Sequence, residues 1–319
     1  MQVTDLRDKV PFHLCVFLHE PNYCPSMCET PRPGDYLPLM EYDGCEFQVY
    51  PGDRALHTHI THVRDLAVRQ DDVFIIGYPY SGCSSLWKIL TSLLTPGSDD
   101  HHRTGQFHLL DRTTADQLAD LPSPRLLHSH YPIRFLPSQI LTNKPKILYL
   151  VRNPKDVCVS QYLHTQKGIG GCRRTFQSFL QAFLNHSTGY DGWFHHVRQY
   201  QQDSTGHRDL LVHTLRFEDT QANPYKQTRG LCKFLDLDMD EEAIGDMVEA
   251  TCDTSKMQPA KRVKTEAHCD GMPLTSDMYD TEGQVGEWKN WLTVTQDEEF
   301  DDAIREHLDG TGLELRCSL

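Results

Sequence analysis

The chain has 319 residues and a formal net charge of -14, from 31 Lys+Arg against 45 Asp+Glu. With 38% hydrophobic and 24% charged residues its composition is globular, which excludes disordered and collagen-like classes. The acidic balance excludes a general nucleic-acid binder, which needs a net basic field, but leaves room for an anionic small molecule in a locally basic pocket.

No stretch reaches the roughly 18 apolar residues of a membrane-spanning helix, and Pro11 and His13 interrupt the nearest candidate, Val10 to Leu18. Asp5 and Asp8 precede it and no small-residue cleavage site follows, so neither a membrane partner nor a secretory signal is expected. Eleven cysteines, an odd number scattered singly, read as reduced thiols in a cytoplasmic protein. Cys24 and Cys28 form a CxxxC near Cys15 and His19, yet no matching CxxC or HxxxH follows. No metal is expected.

In chain order, residues 1–44 carry Pro21, Pro25, Pro31, Pro33 and Pro38 and read as an irregular N-terminal extension, with one domain over 45–319. The apolar run from Asp71 to Gly77 predicts a buried strand. Leu86, Ile89, Leu90, Leu93 and Leu94 recur at helical spacing over 84–94, and Pro96-Gly97 ends that helix. Further strands are predicted at 125–129, 146–151 and 210–217. Helical patterns surround 157–165, 176–184, 193–201, 225–235, 241–250 and 297–308. Strands alternating with helices predict a single α/β domain whose central parallel sheet is flanked by helices.

Three segments carry chemistry. Gly77-Tyr78-Pro79-Tyr80-Ser81-Gly82-Cys83-Ser84 has the G-x4-G frame of a P-loop-like phosphate site, in which a strand–loop–helix aims backbone N–H groups at an anion. Cys83 stands where nucleotide hydrolases have Lys, so a nucleotide kinase is poorly supported. The bland alternative is a plain βα turn with Gly82 at positive φ. His130 follows a predicted strand, and Arg152 and Lys155 follow another. Both lie at the sheet edge where open α/β folds bind ligands. Read singly, each is a satisfied histidine or a solvated charge cluster.

Taken together these residues resemble the cytosolic sulfotransferases of the sulfotransferase 1 type. The resemblance runs from about Cys45 to the C-terminus. It rests on Tyr78-Pro79-x-Ser81-Gly82, His130-x-Pro132, Arg152-Asn153-Pro154-Lys155-Asp156, Val159-Ser160-x-Tyr162, Gly189-Tyr190-x-x-Trp193, Phe217-Glu218-Asp219 and Gly286-Glu287-Trp288-Lys289-Asn290. It implies sulfuryl transfer from 3′-phosphoadenosine 5′-phosphosulfate (PAPS), without a metal, to a hydroxyl or amine of a small lipophilic acceptor. It assigns His130 as general base. Arg152 and Ser160 become ligands of the 3′-phosphate, Ser81, Gly82, Cys83 and Ser84 the wrap around the phosphosulfate, and Thr251 and Gly283 further cofactor contacts. Lys289, Thr293, Val294 and Glu298 match the family's homodimer segment, with an ordinary loop before the last helix as the alternative.

The departures fall at costly positions. Tyr80 stands where the family has a Lys that steadies charge on the bridging oxygen. Ser85 replaces an adenine-stacking Trp, His128 a Lys, and Phe217 an adenine-contacting Tyr, while Thr281-Glu282-Gly283 replaces Arg-Lys-Gly. Losing charged hydrogen bonds at about 1.5–3 kcal/mol each predicts weakened cofactor binding. Lys88, Arg134 and the Lys261-Arg262-Val263-Lys264 run are the cations placed to compensate, or else they are solvated. The sequence therefore supports an active transferase with a rearranged site and, as the alternative, a weak or inactive relative that acts by binding a ligand or partner.

Overall fold

Four parallel strands form the centre of the fold in the computed structural model, which describes residues 39–48, 56–95, 108–167, 175–252, 284–313 and 315–316. All of these belong to the unit Pro33–Leu319. A two-stranded hairpin, β1 (Leu39–Tyr42) and β2 (Cys45–Gln48), comes first. Its turn residues Asp43 and Gly44 have φ of 50° and 70°. Two positive φ values in a two-residue loop match a type I′ turn, for which Asp-Gly is a favoured pair. The first strand of this hairpin lies inside the expected irregular extension.

Helix α1 (Leu56–Arg64) leads to β3 (Val73–Ile76) and α2 (Cys83–Leu94). The short α3 (Ala115–Ala119) precedes β4 (Leu126–Ser129), and α4 (Ile140–Asn143) precedes β5 (Lys146–Val151). Then come α5 (Pro154–Lys167), α6 (Phe176–Leu184), α7 (Gly192–Gly206) and β6 (Leu211–Arg216). Helices α8 (Phe217–Ala222), α9 (Pro224–Leu235), α10 (Glu241–Cys252) and α11 (Val294–Leu308) complete the described chain.

The sheet order is β4-β3-β5-β6, with every pair parallel. All four residues of β3 and of β4 are buried, as expected of parallel strands covered on both faces. The period-2 alternation of β5 sorts its side chains. Ile147, Tyr149 and Val151 pack with Phe179, Phe183, Trp193 and Phe300 of α6, α7 and α11. Leu148 and Leu150 pack with Leu86, Leu90, Leu231 and Ile244 of α2, α9 and α10.

This order places a topological switch point at β3 and β5, because the chain leaves β3 to one side for β4 and returns to the other for β5. Ligands of open α/β folds bind outside the carboxyl ends of strands at such a point. At the opposite end of the sheet Arg125 grips Asp72 with two hydrogen bonds, of 2.8 and 2.6 Å. Both side chains are almost fully buried, so this fork–fork pair reads as structural.

Candidate active site

The carboxyl ends of all four sheet strands carry residues singled out from the sequence. His130 follows β4, the Gly77–Gly82 loop follows β3, Arg152 follows β5, and Phe217 follows β6. The parallel register pairs Ile76 with Ser129, and the Gly77 N–H donates to the Ser129 carbonyl. The loop therefore starts beside His130.

His130 is held by Asp111, a residue the motif reading does not include. Its Nδ1 lies 2.9 Å from Asp111 Oδ2, and both groups are buried. The same carboxylate accepts from Ser129 Oγ at 2.7 Å, from the His130 backbone N–H at 3.2 Å and from Tyr190 Oη at 3.1 Å. Burial pushes the Asp111 carboxyl up, but the His130 and Ser129 hydrogen bonds and the neighbouring His130 imidazole outweigh it and hold it below its ordinary value. An ionised carboxylate only accepts, so Nδ1 carries the proton and Nε2 is left as the basic nitrogen. The position of Asp111 follows from chain pairing: Leu109 bridges to His128 in parallel, with the Leu110 N–H on the His128 carbonyl at 2.7 Å. Two residues further on, Asp111 reaches His130. His196 Nε2 lies 2.9 Å from the His130 carbonyl and fixes the other side of the residue.

The loop after β3 has the geometry of an anion cradle. Gly82 is the N-cap of α2 at φ 95°, with no side-chain cap. A Cβ at Gly82 would meet the Phe217 ring at 2.4 Å, so the position requires glycine twice over, for conformation and for space. The Ser81 hydroxyl is buried with no hydrogen-bond partner among the described residues. A buried hydroxyl without a partner costs about 1–3 kcal/mol, which an anion at the α2 N-terminus would recover. Cys83 and Ser84 open α2, and burial pushes the Cys83 thiol up to about 12, so it acts as an inert apolar group.

Arg152 is almost fully buried. Its Nη1 donates to the Tyr80 carbonyl at 3.0 Å and its guanidinium lies 4.4 Å from the Phe217 ring centroid. The switch-point cation thus ties the β3 loop to the ends of β5 and β6. Ser160, also buried, lies one and a half turns into α5. Lys155 departs from the phosphate-binding expectation. It turns away to Asp297 and Asp301 of α11, and Asp156 accepts from the Gly286 and Trp288 N–H groups at 2.8 and 3.1 Å. These two residues anchor the segment before the last helix. The Thr251 hydroxyl is bonded back to the Met247 carbonyl of its own helix at 2.8 Å. Gly283, Thr281, Glu282 and the 261–264 run lie outside the described residues, as do Cys15, His19, Cys24 and Cys28.

The substituted positions acquire a physical reading. Burial holds the His128 imidazole well below its ordinary value, so it brings no cation. Its ring stands edge-on to His130, centroids 4.5 Å apart. Tyr80, at φ 66°, packs against the core with its ring 5.2 Å from that of His164. Trp87, two residues beyond the substituted Ser85, is in the core beside His108. Arg134 pairs with Asp191 at 3.6 Å.

Comparison with known proteins identifies the family. The sulfotransferase domain model matches residues 70–312. Mouse sulfotransferase 4A1 is 32% identical over 287 residues, covering 86% of this chain and 93% of that protein. Mouse sulfotransferase 1B1 is 30% identical over 280 residues, covering 83% and 92%. Among solved structures, mouse SULT7A1 complexed with PAP superposes with a TM-score of 0.70 at 22% identity, covering 86% of this chain and 96% of that one. Retinol dehydratase with androsterone and PAP also reaches 0.70, at 16% identity over 87% of this chain and 92% of its own. Two relatives at or above 30% identity and a domain match across the whole described sheet lead to one conclusion: the chain belongs to the sulfotransferase family.

Proposed function

We propose that this protein transfers a sulfuryl group from PAPS to a hydroxyl or amine of a small lipophilic acceptor, with His130 as general base. The observation that carries the reading is the buried His130–Asp111 pair beside the loop after β3. PAPS, when bound, supplies an activated sulfuryl group with a nucleotide as leaving group. Nε2 of His130 takes the acceptor proton as the acceptor oxygen or nitrogen attacks, and Asp111 holds the ring and stabilises the imidazolium that forms. The Ser81 hydroxyl and the N-terminal turn of α2, from Gly82 through Cys83 to Ser84, cradle the phosphosulfate. Arg152 and Ser160 receive the 3′-phosphate, an Arg fork suiting that group. Thr251 and Gly283 complete the nucleotide contacts.

The sulfotransferase domain is taken as 45–319 and the location as cytoplasmic, in keeping with the free buried thiols Cys45, Cys83, Cys158 and Cys232. No helix among the described residues is long and apolar enough to cross a membrane. Homodimerisation through Lys289, Thr293, Val294 and Glu298 is supported by the exposure of all four, with Val294 76% exposed.

The reading is tested by sulfate transfer from PAPS to a panel of phenols, alcohols and amines. Wild-type protein is expected to turn over, and His130→Ala to abolish turnover while still binding the desulfated nucleotide PAP. Retained turnover in that variant would remove His130 from its role. A second reading, a relative that binds ligand without turnover, is favoured by Tyr80 and neutral His128, which bring no charge where the family's lysines stand.

A further inference from the structure

Three histidines from distant parts of the chain meet on the face of the molecule formed by α7 and α11. His186 lies in the turn between α6 and α7, His195 on the first turn of α7, and His307 at the end of α11. One ligand nitrogen from each lies within 4.8 Å of the other two. The His186 and His195 rings stack at 4.4 Å, and His307 stands edge-on to His186 at 4.8 Å.

The backbone is shaped to bring them there. His186 adopts a positive φ of 60°, an uncommon conformation for a residue with a side chain. A Cβ at Gly192 would meet His186 Cα at 2.6 Å, so the glycine permits this turn to lie against the start of α7. Phe194, fully buried, sits beneath two of the rings, 6.0 Å from His186 and 5.2 Å from His307. The His186 Nδ1 is buried and has no hydrogen-bond partner among the described residues. His195 is exposed to solvent and borders an open cleft of about 350 Å³.

We propose that His186, His195 and His307 form a zinc site that ties the α6–α7 turn and α7 to the C-terminal helix, with water in the fourth position. Three imidazoles suit a borderline cation such as Zn²⁺, whereas Mg²⁺ and Ca²⁺ take oxygen donors. Tetrahedral Zn–N bonds of about 2.0–2.1 Å place ligand nitrogens about 3.3–3.4 Å apart. Closing from the present spacing, within 4.8 Å, to that distance requires the exposed His195 ring to turn out of its stack on His186. Burial lowers the His186 imidazole to about 4 and holds His307 below its ordinary value. The neutral imidazole is the ligating form. Asp191 acts on His186 as the nearby anion, while Glu306 and Arg198 act on His307 with opposite signs. The site is separate from the sulfuryl-transfer residues and does not depend on the proposed reaction.

The test uses the full chain, stripped with chelator and titrated with ZnCl₂ in a non-coordinating buffer, with Co²⁺ as spectroscopic probe. One equivalent of zinc is expected to bind and raise the thermal unfolding midpoint, while Mg²⁺ does neither. Bound Co²⁺ is expected to give tetrahedral d–d bands without thiolate charge transfer, which separates this site from the cysteines. His195→Ala, an exposed substitution, and His307→Ala are each expected to weaken binding about tenfold or more. Affinity unchanged in both variants, thiolate bands with Co²⁺, or no binding below about 100 μM would overturn the proposal.

Discussion

His130 Nδ1 lies 2.9 Å from the buried carboxylate of Asp111, nineteen residues earlier in the chain. The pair fixes the tautomer and plane of the proposed base before any substrate arrives. Asp111→Asn offers an amide whose NH₂ competes with Nδ1–H and frees the ring to adopt the other tautomer. We expect kcat to fall by about 10²–10⁴, with PAP affinity kept within about threefold. A parallel loss of nucleotide binding would mean that Asp111 supports the fold and not the base.

The same carboxylate gives a pH signature in stability. Its folded-state value lies below its ordinary 3.8, so its contribution is present above about pH 4 and is lost as pH falls through the folded value. Wild-type protein is expected to lose stability more steeply than Asp111→Asn below pH 4 in urea melts at stepped pH. Identical slopes would show that the carboxylate gains nothing from its partners.

Tyr80→Lys places a cation in the loop after β3 that is proposed to hold the phosphosulfate. One preorganised charged donor at developing negative charge contributes on the order of 10²-fold in rate. The variant is expected to turn over faster in steady-state transfer assays. An equal or lower rate would show that this loop, tied through its carbonyl to Arg152, has its own way of stabilising the leaving group.

Gly82→Ala brings a methyl group to 2.4 Å from the Phe217 ring at φ 95°. Overpacking and left-handed strain together predict a loss of about 1–3 kcal/mol in denaturant melts. Nucleotide affinity should drop with it, since Phe217 carries the Arg152 guanidinium. A neutral substitution would mean that the loop and Phe217 move apart freely.

Lys155→Met keeps the packing against Trp288 and removes the charge between Asp297 and Asp301. The lysine is 3% exposed but its carboxylate partners are 34% and 52% exposed. The expected loss is therefore about 1–2 kcal/mol, below that of a fully buried pair. If the 289–298 segment presents the dimer contact, dissociation at low concentration should accompany it in sedimentation velocity.

Strands β3 and β5 are legible because buried parallel strands are short continuous apolar runs, as at Lys146–Val151, and the amphipathic Phe176–Leu184 helix is equally plain. Asp43-Gly44 is the local signal of the 39–48 hairpin, while the prolines before it favour irregular chain. Asp111 gave no local signal. Its role depends on a single bridge between Leu109 and His128, a contact of the folded chain alone. The same holds for Lys155: a lysine at a strand end suits a phosphate until α11 brings two carboxylates to it. The His186–His195–His307 cluster spans elements whose meeting only the fold decides.

The central claim is that the strand ends around His130, Ser81 and Arg152 still hold the sulfuryl donor's nucleotide despite the substituted lysines. Calorimetric titration of the full chain with PAP tests this without knowledge of the acceptor. Saturable binding of one PAP per chain, weakened about tenfold or more in Arg152→Ala, is the predicted result. Absence of binding at millimolar PAP would contradict it.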